Sequence, residues 1–357
     1  MNEHLQDKIR GVFLGTAIGD SLFVPVETKS SVWIAENHGR ITDYTACPPD
    51  HKFMPNHPKG SYTDDTILTL AIAESLIEKR CIDLDDIAKK HIEALDKYGD
   101  RGFGGTTREA IANLKNGIHW SKSGITATRE NNRGRGNGTV MKIAPIALYL
   151  WLTDQDGKLQ KEIYQLSEMT HADPLVTTAT RIHINFLINC LPFSFKSDRD
   201  FLGNALYNLK DEFYGDVAHE KIRAEIQKNP ELSNQIVNTH IIKKEMLERI
   251  MVLERLPIEE LESRDFIKLF GRGNCEVYNS LPFSYAFFLR DPHNINALYD
   301  VGNAGGDTDT NASIVGGLLG ALNGASIFPE HLINGLAEKN YVLDVAERFI
   351  ETFVHIK

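Results

Sequence analysis

Cysteine and net positive charge are both scarce in this sequence of 357 residues. The cysteines are scattered and form no CxxC pair, which argues against disulfides and structural zinc and favours a reducing, cytoplasmic environment; they are Cys47, Cys81, Cys190 and Cys275. The formal net charge of -10 argues against a generally basic surface that binds phosphate backbones. We therefore expect no nucleic-acid partner.

Long apolar runs and targeting patterns are scarce as well. The first residues, Met-Asn-Glu-His-Leu-Gln-Asp-Lys, lack the basic-then-apolar order of a signal peptide. The apolar run around Leu148 to Leu152 lies between Lys142 and Asp154, which makes it too short to cross a bilayer. The sequence therefore predicts neither secretion nor a membrane partner.

Strand-forming patterns are almost absent, and apolar residues follow a helical spacing in nearly every segment. Because 42% of the residues are apolar and 25% are charged, the composition is that of a soluble protein with enough material for a core. We predict an all-α, compact, many-helix fold with one domain over residues 1–357. The charge-rich segment from about 198 to 265 is interpreted as a peripheral helical insertion.

The segment Gly305-Gly306-Asp307-Thr308-Asp309-Thr310 opens an apolar run, and no Lys or Arg lies between Asp291 and Glu330 to neutralise its acids. Acids beside a buried helix must be satisfied, and a hard cation is the usual means. The pattern recurs at Tyr62-Thr63-Asp64-Asp65-Thr66. Taken alone, each segment also fits ordinary N-cap chemistry. We interpret them as two acidic helix starts that meet and hold metal between them.

Two segments near the first predicted helix carry further candidate site residues. Asp20 and Glu27 lie in or just after the last turn of that helix, a poor place for acids unless they have a role, and Asp20 is interpreted as supporting the helix end. A glycine-rich loop with Asp100 and Phe103 precedes a helix predicted to start at Thr107. This loop suits a planar cationic group, although it could also be a plain turn.

The glycine turn Gly136-Asn137-Gly138 precedes a helix predicted over Val140 to Leu152. Glycines before a helix start present free N–H groups, which suits a phosphate or diphosphate, but a flexible loop explains them as well. His171 lies just before another predicted helix, where a histidine either caps and packs or reaches a ligand. Neither pattern is decisive alone.

Together and in this order, the motifs resemble those of the ADP-ribosylglycohydrolase family, and they span nearly the whole chain. The matching pieces are Gly-Thr-Ala-Ile-Gly-Asp-Ser at 15–21 with Glu27, Tyr-Thr-Asp-Asp-Thr at 62–66, Gly-Asn-Gly-Thr-Val-Met-Lys at 136–142, Thr-His at 170–171 and Gly-Gly-Asp-Thr-Asp-Thr at 305–310. The resemblance implies an orthogonally packed all-helical fold and the removal of ADP-ribose from modified protein, with ADP-ribose as a ligand. It also implies two divalent cations, Mg²⁺ or Mn²⁺, held by Thr63, Asp64, Asp65, Asp307, Asp309 and Thr310.

The resemblance further implies roles for individual residues. The expected catalytic residues are Glu27 as general acid or base, Asp65 and Asp307. On the substrate side, the turn at Gly136, Asn137 and Gly138 would receive the diphosphate, His171 would contact a phosphate or the distal ribose, Phe103 would stack on adenine or line the groove, and Asp100 would pair with a guanidinium. Asp100 thereby favours ADP-ribosylarginine as the substrate. The alternatives are a non-catalytic ADP-ribose-binding protein and a two-metal nucleotide phosphohydrolase.

Overall fold

The computed structural model describes residues 2–125, 134–155, 159–192, 200–214 and 216–354. Within these ranges the chain forms eighteen α-helices, and its β-type pairs are two isolated bridges, Ser30–Gly305 and Gly136–Glu276. The predicted all-α fold is therefore confirmed. The helices are α1 (Asn2–Phe23), α2 (Ser31–His38), α3 (Asp64–Lys79), α4 (Leu84–Tyr98), α5 (Gly105–Lys115), α6 (Trp120–Ser123), α7 (Ala144–Leu152), α8 (Gln160–Thr170), α9 (Pro174–Cys190), α10 (Asp200–Tyr214), α11 (Asp216–Lys228), α12 (Ser233–Met251), α13 (Ser263–Phe270), α14 (Val277–Arg290), α15 (Asn296–Asn303), α16 (Thr308–Asn323), α17 (Glu330–Gly335) and α18 (Lys339–Phe353).

Helices α1 and α16 form the centre of the molecule and touch backbone to backbone. A Cβ placed on Gly15 would lie 2.1 Å from the carbonyl oxygen of Gly316, and one placed on Gly320 would lie 2.0 Å from that of Gly11. Only glycine permits so close an approach. Because Gly19 meets the first turn of α16 in the same way, the end of α1 is held beside the start of α16.

One helical stretch in the described part of the chain, Glu3–Val26, is long and apolar enough to cross a membrane. It is also 94% buried inside the molecule, so its apolar composition is accounted for by its place in the core. The four cysteines are all free, two of them buried and two exposed.

The predicted insertion forms helices α10, α11 and α12, and its first residues, 198–199, lie outside the described residues. Helices α10 and α12 pack on α9 through buried side chains such as Leu206 and Leu247, whereas α11 carries mostly exposed ones. The insertion therefore contributes to the core as well as to the surface. The division into one domain with a peripheral helical insertion stays a prediction.

Two predicted helix starts are wrong. The helix expected from Val140 begins with a 3₁₀ turn, Val140–Lys142, and α7 starts only at Ala144, because Pro145 lacks an N–H and is tolerated in a first turn but not further in. The helix expected from Thr107 starts at Gly105 instead, with Gly104 as its extended N-cap.

Candidate active site

The first turn of α3 is held by Asp20, which reaches it from α1. Its carboxylate accepts hydrogen bonds from the backbone N–H of Thr63 at 2.9 Å and of Thr66 at 3.1 Å, and from the Thr66 hydroxyl at 2.6 Å. The sequence indicated that Asp20 supports the end of its own helix. The structure shows that it caps a neighbouring helix instead. The side chain of Thr63 accepts from the N–H of Asp65, so the carboxylates of Asp64 and Asp65 are left for another role.

A short pairing of two backbone segments holds Glu27 beside the start of α16. The N–H of Thr28 donates to the carbonyl of Gly306 at 2.8 Å, and the N–H of Gly306 donates to the carbonyl of Lys29 at 2.9 Å. Gly306 adopts φ of +94°, a conformation that side-chain-bearing residues rarely adopt. This pairing places Glu27 beside Asp307, although the two residues are about 280 positions apart in the sequence.

The acids from these three segments form one cluster, here called the carboxylate cluster, with Glu27, Asp307 and Asp309 at its centre. Each of the three offers an oxygen within 4.8 Å of the other two. The Thr310 hydroxyl donates to Asp65 at 3.3 Å and so joins the start of α16 to the start of α3. The two acidic helix starts thus lie against each other.

Electrostatics in the carboxylate cluster are unfavourable without a cation. Burial raises the pKa of Glu27 well above its ordinary value, and Asp309 and Asp307 raise it further. Burial also raises the pKa of Asp65, with further contributions from Asp20 and Asp64. Across the described ranges, no Lys or Arg forms an ion pair with these carboxylates.

One oxygen of Asp65, Oδ1, is buried and has no hydrogen-bond donor among the described groups. The cluster offers carboxylate and hydroxyl oxygens rather than sulfur or clustered imidazole nitrogen, the donor set that selects Mg²⁺ or Mn²⁺ over zinc or copper. The residues therefore fit a hard divalent cation.

Part of the predicted diphosphate turn already forms hydrogen bonds within the protein. The amide group of Asn137 donates to Asp307 at 2.6 Å and to the hydroxyl of Ser280 at 2.9 Å, and its backbone N–H donates to the carbonyl of Cys275. The side chain is 5% exposed. Asn137 thus faces the carboxylate cluster from inside, and we expect only the glycines beside it to be able to face a phosphate.

His171 lies beneath the same turn, just before the helix predicted to follow it. It follows the last turn of α8, while Asp173 caps α9. The ring is 2% exposed, and a Cβ placed on Gly138 would lie 2.6 Å from it. Burial lowers the pKa of His171 to about 3, so the ring is neutral near pH 7. The imidazole therefore shapes the glycine turn by packing.

The glycine-rich loop after α4 lies against the start of α3. Within it, the N–H of Gly104 donates to Asp64 at 3.4 Å. Phe103 is 1% exposed and packs in the hydrophobic core, so it offers no open face to an adenine ring. Asp100 is exposed and forms an ion pair with Arg108. Of the two expected ligand contacts in this loop, only Asp100 is accessible.

The profile of the family described as ADP-ribosylglycohydrolase matches residues 1–356. The chain belongs to the ADP-ribosylglycohydrolase family. The family assignment suggested by the motifs is confirmed.

Relatives of this chain align over most of its length. It is similar to ADP-ribosylhydrolase ARH3 of Mus musculus, with 26% identity over 90% of this chain and 85% of that protein. It is also similar to ADP-ribosyl-dinitrogen reductase glycohydrolase of Rhodospirillum rubrum, with 25% identity over 94% and 92%. A solved structure described as an ADP-ribosylglycohydrolase-related protein complex has a TM-score of 0.66 at 20% identity, covering 98% and 99%, and shows the shared fold.

Some residues that shape this site were given no role from the sequence. Lys142 is buried behind the glycine turn and donates to the Thr170 hydroxyl at 3.1 Å. Burial lowers its pKa to about 7, and the nearby Asp64 opposes that shift. A lone lysine before the uncharged run Ile143 to Thr153 was the available signal. Ser280 carried no signal, because serine in an apolar helix is common.

With divalent cations chelated, we expect the stability of the protein to fall as the pH rises from about 4 to above 6. Burial raises the pKa of Asp20 from 3.8 to about 6 and that of Asp65 well above 3.8. The folded chain therefore holds protons that the unfolded chain has released. That stabilisation is present below the ordinary pKa and is lost as the pH rises through the raised one.

Thermal unfolding in EDTA between pH 4 and pH 8 measures this effect, with saturating Mg²⁺ as the control that should remove the decline. A melting temperature in EDTA that rises steadily over the range would contradict the expectation.

Proposed function

We propose that this protein hydrolyses the bond between ribose C1″ and the side chain of ADP-ribosylated protein, with ADP-ribosylarginine as the preferred substrate. Membership of the ADP-ribosylglycohydrolase family supports the removal of ADP-ribose. The observation that carries the proposal is the meeting of Glu27, Asp307 and Asp309 at the joined starts of α3 and α16.

The same geometry supports two divalent cations, Mg²⁺ or Mn²⁺, as cofactors. On α3 and its cap, Thr63, Asp64 and Asp65 would hold them, and on α16 and its cap the corresponding residues are Asp307, Asp309 and Thr310. When bound, such cations supply positive charge that orients the ribose hydroxyls and polarises a water molecule near C1″. The six oxygen-bearing residues are all buried, so their carboxylate charges are desolvated and need a compensating cation.

Glu27 is the proposed proton-transfer residue because it is the member of the carboxylate cluster with partial exposure. As the C1″–N bond breaks, the ribose acquires oxocarbenium character and a water oxygen bonds to C1″. Glu27 takes one proton of that water and then gives it to the guanidine nitrogen that has left C1″. Burial and the neighbouring Asp309 raise the pKa of Glu27, which suits a group that must both accept and release a proton.

The preference for arginine rests on Asp100. Its carboxylate is exposed on the loop that covers the start of α3, and it already binds a guanidinium, that of Arg108. A carboxylate that exchanges this partner for the guanidinium of a modified arginine would hold it through charge-assisted hydrogen bonds. A serine-linked substrate has no group that makes such bonds.

The test is the release of free ADP-ribose from arginine-, serine- and O-acetyl-linked substrates, followed by mass spectrometry with Mg²⁺ or with EDTA. We expect release from the arginine linkage that is lost in EDTA. Asp100→Asn should raise KM for that linkage about 10-fold or more, the loss of a charged hydrogen bond. Asp96→Asn is the matched control, because Asp96 is also an exposed acid paired with a cation, Lys115.

The remaining outcomes separate the alternatives. Equal or faster release from serine-linked ADP-ribose would contradict the arginine preference. Binding of ADP-ribose in a calorimeter without release from any linkage would instead identify a non-catalytic binding protein. Formation of AMP or phosphate from ADP-ribose would identify a phosphohydrolase that uses the same acids.

A further inference from the structure

A closed ring of hydrogen bonds lies behind Asp307. Asn137 donates to Asp307 and to Ser280, and the Ser280 hydroxyl donates to the amide oxygen of Asn311 at 2.7 Å. The Asn311 amide donates to the carbonyl of Gly273 at 2.6 Å, and the same carbonyl accepts the backbone N–H of Asp307 at 3.0 Å. The ring therefore begins and ends on Asp307.

Every side chain in this ring is buried. Asn137 is 5% exposed, and Ser280 and Asn311 are 0% exposed. Both amide hydrogens of Asn137 are used, since an amide nitrogen carries two. A phosphate could take one of them only by leaving Asp307 or Ser280 without a partner, and an unmade buried hydrogen bond costs about 1–3 kcal/mol.

The ring fixes Asp307 at two points. The backbone N–H is held by Gly273, and the carboxylate is held by Asn137, so neither the main chain nor the side-chain rotamer is free to turn. The same carboxylate contributes an oxygen to the carboxylate cluster with Glu27 and Asp309. Mutation of a residue that orients a metal ligand in this way commonly weakens metal affinity about 10–100-fold.

We infer that Asn137 is a positioning residue, which acts with Ser280 and Asn311 to orient Asp307 toward a divalent cation, rather than a contact for the diphosphate. The inference rests on the proposed function in that the cation belongs to the same site. It reassigns the polar residue of the turn at 136–138 and leaves phosphate contact to the glycines.

The experiment compares Ser280→Ala with Ser284→Ala, two buried serines one turn apart on α14. Ser284 also donates to Asn311, at 3.1 Å, but within the described part of the chain no hydrogen bond joins it to Asn137. Calorimetric titration of metal-stripped protein with Mn²⁺ should show an affinity about 10–100-fold weaker for Ser280→Ala and for Asn137→Ala. Ser284→Ala should bind Mn²⁺ like the unaltered protein.

ADP-ribose affinity at saturating Mn²⁺ is measured on the same variants, with melting temperature in EDTA as the check on folding. Unchanged ADP-ribose affinity, together with recovery of kcat at high Mn²⁺, supports positioning. Weakened ADP-ribose binding by Asn137→Ala with normal Mn²⁺ affinity overturns it, as does an absence of Mn²⁺ binding by the unaltered protein. Normal Mn²⁺ titrations on a protein that releases no ADP-ribose would overturn the proposed function alone.

Discussion

Replacing Asp309 with asparagine is expected to raise the melting temperature of the metal-free protein and to remove its stabilisation by Mg²⁺. Asp309 is buried, and burial followed by Asp307 and Asp65 raises its pKa well above the ordinary value. Its charge is therefore unfavourable in the metal-free fold. The amide of asparagine removes that charge at nearly the same size, so we expect a rise on the order of 2 °C.

The same substitution should abolish catalysis. An outer residue that orients a ligand changes affinity or activity about 10–100-fold, and removal of a ligand itself should exceed that range. We therefore expect ADP-ribose release to fall more than about 100-fold. The two effects have opposite signs, and loss of fold would give only one of them.

Asp86→Asn is the matched control for charge removal. Asp86 is also buried, but it forms an ion pair with Lys79 at 3.4 Å and lies outside the carboxylate cluster. Its replacement should lower the melting temperature in EDTA and leave the response to Mg²⁺ intact. If Asp309→Asn behaves like Asp86→Asn in differential scanning calorimetry, the account of the cluster is wrong.

Gly15→Ala is expected to destabilise the whole protein. The new methyl group would lie 2.1 Å from the carbonyl oxygen of Gly316, a backbone atom that cannot move without separating α1 from α16. Overpacking of this kind typically costs about 1–3 kcal/mol or more. Because α1 also carries Asp20, which caps α3, separation of these helices should weaken Mg²⁺ binding as well.

Gly203→Ala in α10 provides the comparison, because a Cβ at Gly203 meets no atom of the described residues within 4 Å. A glycine in an open helical position should gain roughly 0.5–1 kcal/mol from the change to alanine. Thermal unfolding should therefore show a fall of about 5 °C or more for Gly15→Ala and no fall for Gly203→Ala. Equal melting temperatures for the two variants would contradict the backbone contact.

The acidic helix starts were predictable because their chemistry is local. Two acids beside a hydroxyl at the start of an apolar helix, repeated in Asp64-Asp65 and Asp307-Asp309, predict burial of charge and so a shared cation. In each case the pattern is only a few residues long, and the free-energy cost of burying its charges arises from those residues alone.

Side-chain direction was not predictable from the same patterns. Asn137 sits in a glycine turn that suits phosphate, yet its amide turns inward because Asp307, far along the chain, is the stronger acceptor. Phe103 lies within a glycine-rich loop, but its apolar ring packs in the core. Asp20 caps α3 rather than its own helix, a contact made only once α1 and α3 are packed.

The most direct measurement of the central claim is an anomalous difference map from a crystal soaked in Mn²⁺. The account predicts two peaks between the start of α3 and the start of α16, each within about 2.5 Å of oxygens from the six proposed ligands. An empty map at that position, or Mn²⁺ bound only to surface acids such as Asp100, would contradict it.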